Sequence, residues 1–339
     1  MQSVVFAGLD YHQNKVQVCL MNGEGKVLKN QSYENDWRAI AQSLPGVSQV
    51  RAAMEVCSGA AALADQLSEH AGWKVELAHP GLVSRMRLNR DKSDYSDARV
   101  LADIQRVGYL PRVWLAPPFI RELRTVVGFR HQLRDQRRAV KLRIRALLRE
   151  QRAFAPGLNA WTQPWMEWLK NQAPLSPQTR WVMNSHLRQL EFVCREIATA
   201  EQQLKNITAE DPLVRRLMTL PGIGLITACT MRASIGRFDR FGSGKQLASF
   251  CGVSPRNASS GERQADAGLN DACNKNLRTV VIEAAHRLIR TQPRWAKMAR
   301  QLHGRGKPKS LAAAAVANRW IRWLFHQFKP LGLGLAERT

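Results

Sequence analysis

The sequence predicts an α/β domain followed by a mainly helical remainder, and three observations predict it. Over the first hundred residues, apolar runs of strand length alternate with stretches of helical periodicity. From Ile120 onward, two long stretches keep a helical apolar stripe, the first of them under a dense run of Arg and Lys. Beyond about residue 213, helical segments are punctuated by turns rich in glycine and proline.

The first strand is the apolar run Val4-Val5-Phe6-Ala7-Gly8-Leu9, which ends on the carboxylate of Asp10. Residues 16–21 alternate in the period of a half-buried strand, Asn22-Gly23-Glu24-Gly25 supplies hairpin turn residues, and residues 27–32 return as a third strand. A helix is expected over 37–43, with Trp37, Ile40, Ala41 and Leu44 at helical spacing. Another strand follows over 50–54, ending on Glu55. A helix over 59–70, a strand over 74–78 and a helix over 81–88 lead to Asp91-Lys92-Ser93-Asp94-Tyr95-Ser96-Asp97, which opens a further helix. Asp94 and Asp97, three apart, share a first-turn face.

This order, a meander and then alternating helices and strands with acids on strands one and four and on a later helix, resembles the ribonuclease H superfold in its RuvC-like form. Such a set suits phosphodiester chemistry: two divalent cations about 3.5–4 Å apart need several oxygen ligands and stabilise both the attacking and the leaving oxygen. Each acid alone also has a plainer reading, as a solvated strand end or as a charge favouring a helix N-terminus.

Composition points to a polyanionic partner. The chain carries 51 Lys and Arg against 27 Asp and Glu in 339 residues, a formal net charge of +24, which attracts nucleic acid and gains from counterion release. Hydrophobic content of 45% argues against disorder. Six cysteines, at 19, 57, 194, 229, 251 and 273, form no CxxC pair or zinc spacing and suggest a reduced, cytoplasmic protein with mostly buried thiols. No signal peptide is expected, and with no uncharged apolar stretch of membrane-spanning length no membrane partner is expected.

Three parts are expected: an α/β metal-binding domain at 1–112, a basic helical connector at 113–212, and a third domain at 213–339. In the connector, Arg134, Arg137, Arg138, Lys141 and Arg145 stand among many same-sign charges on a helix over 120–152. These repel one another until a counter-charge arrives, which favours nucleic-acid contact over a solvated spacer face. A second helix over 178–207 pairs with it as an antiparallel hairpin or coiled coil, across a Trp- and Pro-rich stretch containing Trp161, Trp165 and Trp168. The third domain opens on Leu220-Pro221-Gly222-Ile223-Gly224. This is either a helix-hairpin-helix turn, whose Gly222 and Gly224 let backbone N–H groups approach a phosphate, or a plain helix cap. Residues 280–289 form a core helix, 304–309 a basic loop, and 311–328 an Ala-rich helix.

Taken together, Gly8-Leu9-Asp10, Glu55, Lys92-Ser93-Asp94 with Asp97-Ala98, Pro221-Gly222-Ile223-Gly224, Gly252-Val253-Ser254-Pro255, Ser260-Gly261 and Asn276-Leu277-Arg278 resemble the IS110 family of insertion-sequence transposases, from Val4 to about Phe328. The resemblance implies a RuvC-like DEDD domain with Asp10, Glu55, Asp94 and Asp97 holding Mg2+ or Mn2+, as a pair of ions. It implies a coiled-coil connector and a C-terminal domain whose nucleophile, by motif position, is Ser260, with Ser259 its adjacent rival. It further implies a structured guide RNA, donor and target double-stranded DNA, and homodimers assembling into tetramers at the nucleoid of a bacterium. Arg256, Arg263, Lys275 and Arg278 are placed to hold phosphate oxygens. Where the family often has a basic residue and a glycine ahead of its Asn and Leu-Arg motif, this chain has Asp271-Ala272-Cys273-Asn274-Lys275, and Lys275 supplies a charge from a shifted position. Two other functions fit the same residues: a RuvC-like nuclease that hydrolyses branched DNA with Ser260 dispensable, and a non-catalytic nucleic-acid-binding protein.

Overall fold

The computed structural model describes residues 4–44, 49–86, 93–155, 157–257 and 266–329, and the chain divides into two compact units at Ala116/Pro117. The first unit is mixed α/β. In chain order it comprises β1 (Val5–Tyr11), β2 (Lys15–Met21), β3 (Val27–Glu34), α1 (Trp37–Ala41), β4 (Val50–Glu55), α2 (Ala60–Ala71), β5 (Lys74–Ala78), α3 (Pro80–Met86), α4 (Asp94–Arg106) and β6 (Arg112–Val113). The sheet order is β3-β2-β1-β4-β5-β6, with β1 parallel to β4 and β4 to β5, and the remaining pairs antiparallel. This arrangement is consistent with a RuvC-like domain.

The period of two along β1 sorts its side chains between two layers. Val5, Ala7 and Leu9 face a core shared with Ile40 of α1 and Leu63 and Leu67 of α2. The alternate positions face α4: Phe6 packs with Ala98 and Ala102, and Ala53 of β4 packs with Leu101. Gly8 lies on that side too, where an added Cβ would run into the Ala98 carbonyl oxygen and lie 2.5 Å from the Ala102 nitrogen. Only a residue without a side chain lets α4 settle this closely on β1. Opposite, Gly59 before α2 has φ +93°, and a Cβ there would lie 2.7 Å from Tyr11 Cζ.

The second unit is mostly helical: α5 (Pro118–Glu150), α6 (Gln163–Asn171), α7 (Pro177–Ile207), α8 (Pro212–Met218), α9 (Leu225–Ile235), α10 (Gly244–Phe250), the small antiparallel pair β7 (Pro255–Asn257) and β8 (Asp266–Leu269), then α11 (Lys275–Thr291), α12 (Pro293–Gly304) and α13 (Lys309–Phe328). Helices α5 and α7 run antiparallel. Leu123 and Val127 share a core with Leu204, Leu133 meets Val193 and Ile197, and Val140 and Ile144 meet Met183 and Leu190. The expected division at 212/213 falls inside this unit, because the start of α5 packs into the same core as α8, α9, α11 and α13. The Trp-rich stretch forms a helix, α6, whose Trp165 and Leu169 are buried. Residues 293–304 form α12, which takes in Gly304 from the expected basic loop; the sequence reading assigns no element to residues 293–303. Among the described residues no helix is long and apolar enough to cross a membrane.

Candidate functional site

The carboxyl end of β1 and the N-terminus of α4 bring acids together. Asp10 and Asp94 offer carboxylate oxygens that lie, with a ring nitrogen of His12, within 4.8 Å of one another. His12 Nε2 stands 3.2 Å from Asp10 Oδ2 and 3.3 Å from Asp94 Oδ1, and Lys15 Nζ donates to Asp94 Oδ2 at 2.7 Å. Ser93 and Ser96 form a capping box that fixes the first turn of α4, with Asp94 and Asp97 in it. Glu55 ends the neighbouring parallel strand, one step beyond the last registered pair, Leu9 with Met54. Asp10 and Glu55 thus point to the same side of the sheet as Gly8 and Ala53, the side covered by α4.

Electrostatics follow from this crowding. Burial raises the Asp10 pKa; His12 pulls it back, while the charges of Asp97 and Asp94 push it further up. The Lys15 hydrogen bond holds Asp94 below its ordinary value. Burial also raises the Cys57 thiol, with the negative charges of Asp10 and Glu55 adding to the effect. Of the four sequence-predicted acids, Asp10 and Asp94 meet in this group, whereas Asp97 and Glu55 stand outside it and act through their charges on Asp10 and on Cys57; the geometry adds His12 and Lys15. The sequence reading missed His12, which follows the end of β1 at Tyr11 and lies in the turn before β2, where no strand period marks it.

The donor set fits a divalent metal. Carboxylate oxygens are the ligands hard cations prefer, and Asp10, whose pKa the charges of Asp97 and Asp94 help to raise, would gain from a cation. In the structure, Lys15 supplies a counter-charge at Asp94, and His12 stands against both carboxylates.

In the second unit, five of the expected nucleic-acid-binding residues line one notch of about 240 Å³ on α5: Arg134, Arg137, Arg138, Lys141 and Arg145. Arg134 and Arg137 also line an adjoining groove of about 670 Å³ that contains Gly222, Gly224 and Arg287. The two glycines differ in role. Gly222 has φ +81° and sits under α11, where a Cβ would meet the Ala284 carbonyl oxygen at 3.3 Å. Gly224 has open space around it and precedes α9, which has no side-chain cap at that end. Arg287 holds the turn, donating to the Gly222 carbonyl at 3.0 Å and to Thr227 Oγ1 at 3.2 Å.

Arg134 is engaged structurally. It donates to Asn276 Oδ1 at 3.0 Å and to His131 Nδ1 at 3.1 Å, and it pairs with Asp135. With Nδ1 accepting, buried His131 donates from Nε2 to Thr230 Oγ1 at 3.1 Å. Arg256 is exposed on β7 and Lys275 is exposed at the start of α11. Arg278 is tied to Asp271, Cys273 and the Asn270 carbonyl. Ser259, Ser260 and Arg263 fall in sequence between β7 and β8 and lie outside the described residues.

Comparison with known proteins places the chain. A family model for transposases of IS110 elements, bearing the DEDD designation, matches residues 7–152. The model described as "Transposase IS116/IS110/IS902 family" matches residues 214–300. The chain is 25% identical over 333 residues to the "Transposase for insertion sequence element IS1111A" of Coxiella burnetii, covering 95% of this chain and 90% of that one. It is 24% identical over 331 residues to the "Transposase for insertion sequence element IS1328" of Yersinia enterocolitica, covering 95% and 96%. It is also 27% identical over 283 residues to a "Probable family 20 transposase" of Pseudomonas aeruginosa, covering 80% and 82%. The protein is therefore an enzyme of the DNA transposase class. Within that class, the chain belongs to the IS110 family.

Proposed function

We propose that this transposase is an RNA-guided, divalent-metal-dependent DNA recombinase, with Ser260 as its nucleophile and a RuvC-like first unit of the ribonuclease H type. The observation that carries the metal-dependent part is the meeting of Asp10, His12 and Asp94 within 4.8 Å, beside Asp97 and Glu55. Asp10, Glu55, Asp94 and Asp97 would hold Mg2+ or Mn2+, as a pair of ions. The bound metal would supply positive charge to phosphate oxygens and to the leaving strand end. Neutral His12 would provide a nitrogen ligand, which suits Mn2+ better than Mg2+.

Attack by the Ser260 hydroxyl oxygen on a phosphodiester forms an O–P bond as the P–O bond to one strand end breaks, and that end departs as a hydroxyl. A hydroxyl on a different strand then attacks the phosphoserine, which restores the serine and joins the new pair. Each step exchanges one phosphate ester for another, so no high-energy cofactor is consumed. Arg256, Arg263, Lys275 and Arg278 are assigned to phosphate oxygens around Ser260. Guide RNA, donor and target DNA, and dimers that pair into tetramers come to this chain through the family resemblance. The basic second unit, at 38 Lys and Arg against 15 Asp and Glu for residues 117–339, supports a polyanionic partner of this kind.

The test supplies the protein with its native flanking DNA, transcribed RNA and a target plasmid, then searches the denatured protein for a nucleotide on serine by mass spectrometry. An adduct on Ser260 that vanishes together with strand exchange in Ser260→Ala is expected. Asp94→Asn should abolish cleavage and leave RNA binding intact. Cleavage undiminished in Ser260→Ala, with no adduct, would move the assignment to a hydrolytic nuclease.

A further inference from the structure

The basic notch on α5 differs from an ordinary solvated helix face in three respects. Its cations recur at three- and four-residue spacing, so Arg137 and Lys141, and Lys141 and Arg145, are like-charged neighbours on one face, which destabilises an isolated helix. Among the described residues no carboxylate lines the notch. Among the described residues, Arg137, Arg138 and Arg145 make no hydrogen bond or ion pair, while Arg134 is already committed to His131 and Asn276. Three guanidinium groups therefore face a concavity without a partner, in a geometry suited to phosphate oxygens.

The remaining lining is apolar. Leu142 is 51% exposed in the midst of these arginines, and Trp161 closes the notch from the connection between α5 and α6. Trp161 has φ +73°, a left-handed backbone that a bulky residue seldom adopts. Such conformations persist where the surroundings hold them, and they gather at ligand sites. The consequence here is positional: the indole packs at 4.8 Å against Trp165 of the buried connector core, and Lys141 Nζ lies 4.4 Å from the ring centroid. Burial, and then the charge of Arg137, lowers the Lys141 pKa, so an arriving anion would favour its charged form. The flexible lysine stem allows the ammonium to leave the ring face for a phosphate while a planar group takes its place.

From this juxtaposition of an unpartnered arginine rim with an indole and an exposed leucine, we propose that the notch is a subsite for one unstacked nucleotide, its base on Trp161 and Leu142 and its phosphate on Arg137, Arg138 and Arg145. A paired duplex keeps its base faces inside its own stack and can touch only the rim. A single strand, loop or bulge can turn a base outward onto an aromatic ring. The proposal rests on the reading that the second unit contacts nucleic acid, and it adds that this contact selects unpaired nucleotides. Single-stranded RNA and single-stranded DNA share the required chemistry.

The test measures fluorescence anisotropy of labelled single-stranded RNA, single-stranded DNA and the matching DNA duplex against the full-length protein at fixed salt. Trp161→Ala is expected to weaken binding of one or both single strands by about tenfold, within the range for loss of one base–aromatic stack, with duplex affinity within about twofold of the parent. Trp161→Phe should restore most of the loss. Leu142→Gln, a substitution on the exposed side of α5, should weaken single-strand binding in the same direction without touching the core, and it stands in if Trp161→Ala fails to fold. Whichever strand responds names the source. Equal losses for single strands and duplex, or no loss in either variant, would overturn the subsite while leaving a nucleic-acid-binding second unit in place. A parent protein that binds none of the three probes would overturn both.

Discussion

Gly8 shows how one residue can set the geometry of a site it never touches. It lies on β1 two positions before Asp10, and its missing side chain is what lets α4 carry Asp94 and Asp97 up to that carboxylate. Gly8→Ala would drive a methyl into the backbone of α4, which cannot swing aside as a flexible side-chain tip could. The expected cost is about 1–3 kcal/mol, read as a lower denaturant midpoint at unchanged slope, together with loss of strand cleavage. A variant that keeps both parental stability and activity would contradict this account of the packing. Asp10→Asn should separate the two effects. Replacing the carboxylate with a neutral group of the same shape removes its repulsion with Asp97 and Asp94 while still allowing a hydrogen bond to His12. Stability without divalent metal should rise by on the order of 0.5–1 kcal/mol as activity is lost. A fall in metal-free melting temperature would mean that Asp10 serves the fold instead.

At the scale of elements, α5 couples the basic face to the core through His131, and this coupling carries a pH signature. Burial, followed by the charges of Arg134 and Arg130, lowers the His131 pKa from 6.5 to about 4, with Asp135 acting weakly the other way. Between these values the unfolded chain binds a proton that the folded chain refuses. Stability contributed by neutral His131 is therefore complete above about pH 6.5 and is lost as pH falls toward 4. Denaturation measured at half-unit steps from pH 7 to 4.5 should show a slope that flattens in His131→Gln, after subtraction of the common carboxylate titration. An identical slope in both proteins would mean that His131 takes up its proton in the fold.

The same scale shows what the sequence could disclose. Strands β1 and β4 were legible because each is a mainly apolar run leading into an acid, β4 with Arg51 as its one interruption, and α5 and α7 because their apolar stripes persist over many turns. Strand β6 is two residues long and pairs only with β5, too short for a period to register. The pair β7 and β8 carries Pro255, Asn257 and Gly268 and has no apolar alternation. In α6, prolines and tryptophans hid a helix that carries Pro164 at a permitted first-turn position. The acid cluster could be read residue by residue, but His12 and Lys15 enter it through the turn between two strands. The convergence of Gly222 and Gly224 with α5 required the tertiary fold.

At the scale of the whole molecule, charge is divided very unevenly. Residues 117–339 hold 38 Lys and Arg against 15 Asp and Glu, so they carry +23 of the formal +24, and residues 1–116 are nearly neutral. The near-neutral unit contains the acid cluster, whose donors suit a cation, and the basic unit contains the surfaces that suit a polyanion. Nucleic-acid affinity should accordingly be dominated by counterion release from the second unit, with log K falling linearly against log salt at a slope of roughly −0.9 per neutralised phosphate on duplex DNA. Arg138 and Arg145 are exposed, and neither makes an ion pair among the described residues, so Arg138→Ala with Arg145→Ala should disturb little of the fold. If each meets one phosphate, the double variant should reduce the slope by roughly two and weaken binding to unrelated sequences alike. Titrations at several salt concentrations between about 50 and 200 mM would resolve that change. A slope equal to the parent's, with affinity unchanged, would place the polyanion on another face of the second unit and remove the α5 notch from its path.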